Sequence, residues 1–431
     1  MSSGGDKSDE GIRYVPGCLK GLLIITAALI IIGGLNIYSA TFYMNIHSGG
    51  NPYNHIINHL FFLFFGIAAS LFILKIGNSG VRKGVILWFL GTVALLLVVM
   101  VAGRTVNGAT RWIPLGSFSI QPSEIAKVVS LIWAASYLSK RIDAKEKISV
   151  FGRIYKTFIY YLPRNKKGYS FGSTFLYFTP LWAPLIMALL VLKQPDMGTA
   201  GMIIIFPALL YVFAGMPAIE VWSGFIFVFL VGTVLAIVEP YRFERLVVLW
   251  DPFPYEWDSG YQTVQSLIAV GSGGVIGQGA AEGMSKFLYL PEQYTDFAYA
   301  VWSQEYGFVG SFIVLFLYLG FLYCGFNCAR KLKHTYESLL IYGLTMLISV
   351  QGIINIAMVI GCFPVTGIPL PFISYGGTSL VVNIISVALI WSAMVSSLMR
   401  SDKEERKRRI DAMMGRMPSY NQISRSRFRP Q

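Results

Sequence analysis

The sequence predicts an all-α polytopic membrane protein of about ten transmembrane helices, with both termini in the cytoplasm and one large extracytoplasmic loop between spans seven and eight. Three observations predict it. Hydrophobic residues make up 55% of the 431-residue chain and charged ones only 13%, a balance too apolar for a soluble protein of this length. Apolar runs recur along it, most of them long enough to cross a hydrocarbon core of about 30 Å as a helix. Lys and Arg are shared unequally among the connections, which assigns a side to each.

Residues 1–20 form a polar amino-terminal tail, and the long apolar run behind it lacks a small-residue cleavage site, so that run reads as a retained span. Spans are expected near 22–42, 56–74, 84–101, 125–138 and 175–192, then near 198–214, 219–238, 297–326, 339–361 and 375–399, within a membrane domain of residues 21–400. With the amino terminus inside, roughly 28 of the 35 Lys and Arg lie in the cytoplasm, about six lie outside and Lys127 sits within a span. The opposite topology inverts that ratio. The net charge of +13 is therefore mainly a topology signal, and no nucleic-acid partner is expected.

Between spans four and five, Val150, Phe151, Ile154, Tyr155, Phe158 and Ile159 recur at helical spacing with Arg153 and Lys156 opposite, the pattern of a short helix on the inner membrane face. Residues 401–431 turn basic, with ERKRR at 405–409, and are expected to form a disordered cytoplasmic tail drawn to anionic membrane lipids. Cys18, Cys324, Cys328 and Cys362 lack metal or redox spacing, and Cys324 with Cys328 reads as packing on one helix face. The scattered His residues argue likewise against a protein-built zinc site.

Chemistry is expected on the outer side. The 239–296 loop is far longer than an ordinary connection and gathers Glu239, Glu244, Asp251, Glu256, Asp258, Glu282, Glu292 and Asp296 around Arg242, Arg245 and Lys286. Its run GSGGVIGQG, 271–279, supplies backbone able to approach a ligand closely. Three more outward elements, 108–127 (GATRWIPLGSFSIQPSEIAK), 193–200 (KQPDMGTA) and 363–379 (FPVTGIPLPFISYGGTS), hold Gly and Pro at a density that gives irregular backbone. Membrane depth tolerates such backbone only where it is buried in protein or lines a cavity, so a shared outward cavity follows.

Within it, Glu124 and Lys127 share a helix face, and a structural ion pair stands beside a role in holding substrate. Arg111, Lys193, Arg242 and Arg245 are the scarce outer cations and suit an anionic ligand such as a phosphate head group, although local pairing with Glu239 and Glu244 is the stronger reading for Arg242 and Arg245. Asp196 fits a helix cap. Asp296 closes the polar loop in front of an apolar helix, where a carboxylate is costly to desolvate, and a general base is preferred there over a cap.

The motifs at 111–127, 193–199, 261–274, 290–297 and 364–379 together resemble the shape, elongation, division and sporulation (SEDS) family of bacterial membrane proteins, over the chain from about the first span to the tenth. NGATRW at 107–112, GYQ at 260–262 and the YLPE lead-in resemble its division branch. The resemblance implies a peptidoglycan glycosyltransferase that polymerises lipid II at the outer face of the cytoplasmic membrane, at the division septum. Its implied partners are a class B penicillin-binding transpeptidase and other division proteins. The family's catalytic carboxylate falls on Asp296 of LPEQYTDF, its membrane lysine on Lys127 and its loop arginine on Arg111. Glu124, Lys193, Arg242, Glu292 and Lys286 complete the candidate substrate-binding set. Tyr294 stands where the family usually has His, Gln304 where it usually has Glu, and Ala281, Gly283 and Ser285 replace the usual Gly, Ser and Gln. No cofactor is required by these residues, though a divalent cation, Mg or Mn, is compatible with a departing diphosphate. Two rival readings remain: a flippase moving the same lipid, and a non-catalytic scaffold for a transpeptidase.

Overall fold

The computed structural model describes residues 16–106, 109–116, 118–161, 177–238, 240–283 and 290–416. Its helices are α1 (Gly17–His47), α2 (Asn54–Lys83), α3 (Val85–Ala102), α4 (Pro122–Asp143), α5 (Val150–Tyr161), α6 (Thr179–Leu192) and α7 (Met197–Phe213). They continue with α8 (Ala218–Val238), α9 (Pro240–Trp250), α10 (Tyr261–Ser272), α11 (Ala298–Arg330), α12 (Thr335–Val359) and α13 (Gly377–Arg416). A helix occupies each of the expected spans. Six of them, α1, α2, α3, α11, α12 and α13, are long and apolar enough to cross a membrane, and α6, α7 and most of α8 are shorter apolar helices.

Burial sorts these helices into a centre and a lipid-facing periphery. α4 and α12 are central: α4 packs on α3, α6, α7 and α12, and nearly every residue from Pro122 to Ser139 is buried. That surround lets α4 carry Ser123, Glu124, Lys127, Ser130, Ser136 and Ser139 at membrane depth, because protein faces them instead of lipid. Large apolar side chains such as Phe64, Leu87 and Phe229 are exposed on α2, α3 and α8, as a bilayer-facing surface requires.

Several expectations are corrected. The fold is not purely helical, because 104–120 builds a three-stranded antiparallel sheet, β1 (Arg104–Val106), β2 (Ala109–Leu115) and β3 (Phe118–Ile120). β-Branched residues explain it: Thr105 faces Thr110 across the ladder with hydroxyls 2.8 Å apart, and Ile113 faces Ile120. The connection left between the spans expected at 56–74 and 84–101 is helical except for a break at Gly77, whose φ of +71° is a glycine conformation. The tail does not lose structure at 401; α13 continues to Arg416, supported by an Arg409–Glu405 pair at 2.7 Å with i, i+4 spacing. The amphipathic helix at 150 is present, its first turn held by the Glu220 carboxylate, which accepts from Val150 N at 2.6 Å and Ser149 Oγ at 2.5 Å.

Within the 239–296 stretch, α9 and α10 fold as helices. Its glycine run meets protein backbone. α11 breaks at Gly307, where φ is +63°, and the backbone groups freed there need partners. The glycine run supplies them: Phe308 N donates to Gly274 O at 2.9 Å, Val309 N to Val275 O at 3.1 Å, Gln278 N to Gln304 O at 3.0 Å and Gly279 N to Glu305 O at 3.1 Å. A Cβ on Gly277 would stand 2.1 Å from Glu305 O, so this approach admits glycine alone.

Candidate active site

The segment in front of α11 is a tight turn anchored at both ends. Leu290 and Phe297 are buried, and the Gln293 amide donates to Ala40 O on α1 at 3.1 Å. Glu292, at φ +53°, accepts with its carbonyl from Thr295 N at 3.1 Å and Phe297 N at 3.2 Å, while its carboxylate accepts from the Thr295 hydroxyl at 2.7 Å. Tyr294 packs its ring between His55 and Tyr375, at 5.3 and 5.9 Å, and its carbonyl accepts from Tyr375 N at 2.7 Å. Phe297 takes the N-cap position of α11 without a side-chain cap, so the Asp296 carboxylate is not committed to capping.

Five elements converge on that carboxylate. Arg111 comes from β2 and Arg245 from α9; Asp196 lies at the start of α7, Glu292 in the turn itself, and Gly367 in the loop before α13. Burial pushes the Asp296 carboxyl up from 3.8 to about 7, the negative charge of Glu292 pushes the same way and Asp196 adds less, while Arg111 and Arg245 pull it down without cancelling the rise. A carboxyl balanced there takes and releases a proton at neutral pH.

Gly367 keeps the space beside it open. A Cβ on this residue would stand 3.5 Å from Asp296 Oδ2 and 3.9 Å from Arg111 Nη1, so acid and guanidinium border one spot that glycine leaves clear. Its φ of +69° also disfavours any side chain. Gly367→Ala is expected to lower the turnover of this site by about tenfold or more, with the site crowded and the loop strained; full activity would mean that this space is not used.

Arg111 is fixed beside Asp196. Its Nη2 donates to Pro195 O and its Nε lies 3.9 Å from Asp196 Oδ2, yet Nε is buried with no hydrogen-bond partner among the described residues. Asp196 is also the cap of α7, accepting from Thr199 N at 3.2 Å, as its position in the sequence suggested. Arg245 donates to Val365 O and so braces the 363–376 loop as well as acting on Asp296. Sequence reasoning gave it to local pairing, because neighbours in sequence were the only partners visible.

The other candidates are dispersed. Glu124 and Lys127 lie inside the bundle at 2.8 Å, with side chains 2% and 3% exposed, and Lys127 Nζ also donates to Gln351 Oε1 at 2.8 Å. Lys193 is exposed at the end of α6, on an apolar groove of about 500 Å³ lined by Ile186, Leu189, Leu190 and Leu192. Lys286 and the side chain of Arg242 lie outside the described residues. Among the described residues no three His, Cys, Asp or Glu side chains are grouped so as to hold a metal ion by themselves; a Mg ion arriving with a diphosphate needs only one or two carboxylates from the protein.

Comparison with known proteins places the chain. Residues 20–398 match the model of the FtsW, RodA and SpoVE cell cycle proteins. A probable peptidoglycan glycosyltransferase FtsW from Marinobacter nauticus is 33% identical over 382 residues, covering 86% of this chain and 88% of that protein. Its counterpart from Halomonas elongata is 32% identical over 401 residues, covering 91% and 92%. In fold the chain is similar to one from a peptidoglycan synthase complex that coordinates polymerization and crosslinking, with a TM-score of 0.68 and 24% identity over 90% of this chain and 99% of that one. The rod shape determining protein RodA of Thermus thermophilus superimposes with a TM-score of 0.60 and 22% identity, over 90% and 98%. The family match spans nearly the whole membrane bundle and includes every element that builds the Asp296 site: the chain belongs to the FtsW, RodA and SpoVE family of cell cycle proteins.

Proposed function

We propose that this protein is a peptidoglycan glycosyltransferase of cell division, which polymerises lipid II at the outer face of the bacterial cytoplasmic membrane with Asp296 as general base. One observation carries the proposal: a half-buried carboxyl poised at about 7 borders a cleared space shared with an arginine whose Nε has no hydrogen-bond partner among the described residues. The names of the FtsW relatives support the activity and its place in division. The chemistry joins a sugar C4 hydroxyl to an anomeric carbon bearing a polyprenyl diphosphate, with inversion. The hydroxyl oxygen forms the new bond, its proton passes to the Asp296 carboxylate, and the diphosphate departs with the bonding electrons. Arg111 stabilises that leaving charge through the guanidinium edge whose Nη1 borders the space beside Gly367, with Arg245 adding positive potential. Lys127 acts indirectly, because its ammonium is already committed to Glu124 and Gln351.

The membrane setting follows from the substrate, whose lipid tail stays in the bilayer while its sugars reach the site. Ten spans, both termini inside and the 239–296 loop outside are supported by the distribution of Lys and Arg. A class B transpeptidase is the expected partner, in keeping with the synthase complex of similar fold, and septal placement follows from the division relatives. The test is polymerisation of labelled lipid II by purified protein, with and without the cognate transpeptidase. Glycan polymer in either arm supports an enzyme. Lipid II crossing vesicle membranes with no polymer in either arm would make the protein a flippase, and neither activity would leave a scaffold.

A further inference from the structure

α12 carries two primary amides one helical turn apart, Gln351 and Asn355, at 1% and 0% exposure in a mainly apolar helix. Residues at i and i+4 share a face, and this face meets the site from behind. The Asn355 amide nitrogen donates to two carbonyls at once, Asp296 O at 2.8 Å and Ile368 O at 2.8 Å. Gln351 donates to the next carbonyl, Pro369 O, at 2.9 Å, and accepts from Lys127 Nζ at 2.8 Å. Both are therefore joined to the stretch that follows Gly367, the residue whose missing side chain leaves room beside Asp296 Oδ2.

Resting on the reading of Asp296 as the base, we infer that Asn355 and Gln351 are the positioning residues of this site, a buried amide ladder that holds the main chain of the base and the 367–369 backbone in one frame. The need for such a frame is physical. Asp296 lies in a turn, one residue outside the N-cap of α11, so regular helical hydrogen bonding does not fix it. A reacting group displaced by about 1 Å can lose about 10²-fold in rate. Only a primary amide suits the position of Asn355, since two carbonyls require two N–H donors on one atom, and a carboxylate or hydrocarbon of the same size offers none. Through Gln351 the frame continues to Lys127 and Glu124, which gives that buried pair an indirect role in the chemistry.

The test compares Asn355→Leu and Asn355→Ser with the wild-type protein and Asp296→Asn, using labelled lipid II and a range of pH. Asn355→Leu is expected to lose about 10²-fold in kcat with KM for lipid II within about twofold of wild type, and to shift the acid limb of its pH profile as the carboxylate leaves its seat. Asn355→Ser, which keeps one donor, is expected to lose about tenfold in kcat, and it decides the matter if the leucine variant does not fold. Wild-type kcat in either folded variant overturns the inference, as does a loss in which kcat and KM change together with the acid limb unmoved. Should Asp296→Asn remain active, the base reading falls and this inference with it; should Asp296→Asn be inactive while both Asn355 variants turn over normally, only the amide ladder is refuted.

Discussion

Asp296→Asn protein is expected to polymerise lipid II about 10²- to 10⁴-fold more slowly than wild type, the range that a positioned general base contributes. Its fold is expected to survive. In the folded protein Asp296 holds its proton up to about 7, against 3.8 for an ordinary carboxyl. The resulting contribution to stability is full below pH 3.8 and is lost as the pH rises through about 7, where the folded chain must keep a desolvated charge. Asparagine carries no charge, so the variant should melt at or above the wild-type temperature at pH 8 in the same detergent. An inactive variant that melts normally separates loss of the base from loss of structure; an active one removes Asp296 from the reaction.

Breaking the buried pair is expected to act in the opposite way, on stability first. Lys127→Met leaves Glu124 inside the bundle without its cation, 2.8 Å from where the ammonium stood. Removing one partner of a buried pair typically costs about 3–5 kcal/mol, because the remaining charge has neither water nor a counter-ion. A clear drop in melting temperature should follow, and Glu124→Gln combined with Lys127→Met should recover most of it. Non-additivity of this kind marks a shared term. Unchanged melting of the single variant would show that Lys127 is not a structural partner, and would return it to the substrate.

The periphery was legible in the sequence because lipid imposes a simple rule on it. Apolar runs located a helix at every expected span, and the spacing of the Glu and Lys of α4 put them on one face, where a pair and a role in holding substrate were equally open until the structure showed the pair. Asp296 could be singled out because a carboxylate at the end of a polar loop, against an apolar helix, violates local preference. What surrounds it could not be read the same way. Arg245 reaches Val365 and Asp296 across long sequence separations, while its sequence neighbours offered plausible partners that masked this reach. The glycines of 271–279 looked open to a ligand, yet their close approach is to the broken turn of α11, a need created only by the kink at Gly307. Gln351 and Asn355 did leave a signal: two amides four residues apart in an apolar span, with no partner in their own helix. Partners for both came from the 368–369 backbone, and periodicity carries no information about such a loop.

The pH dependence of kcat/KM for lipid II polymerisation, measured between pH 5 and 9 on wild-type protein, tests the assignment of the base most directly. A base held at about 7 predicts a plateau above neutrality and, below it, a fall approaching about tenfold per pH unit as Asp296 takes up its proton. A rate that stays flat down to pH 5 would mean that the accepting group is an ordinary exposed carboxylate or no carboxylate at all, and would contradict the site described here.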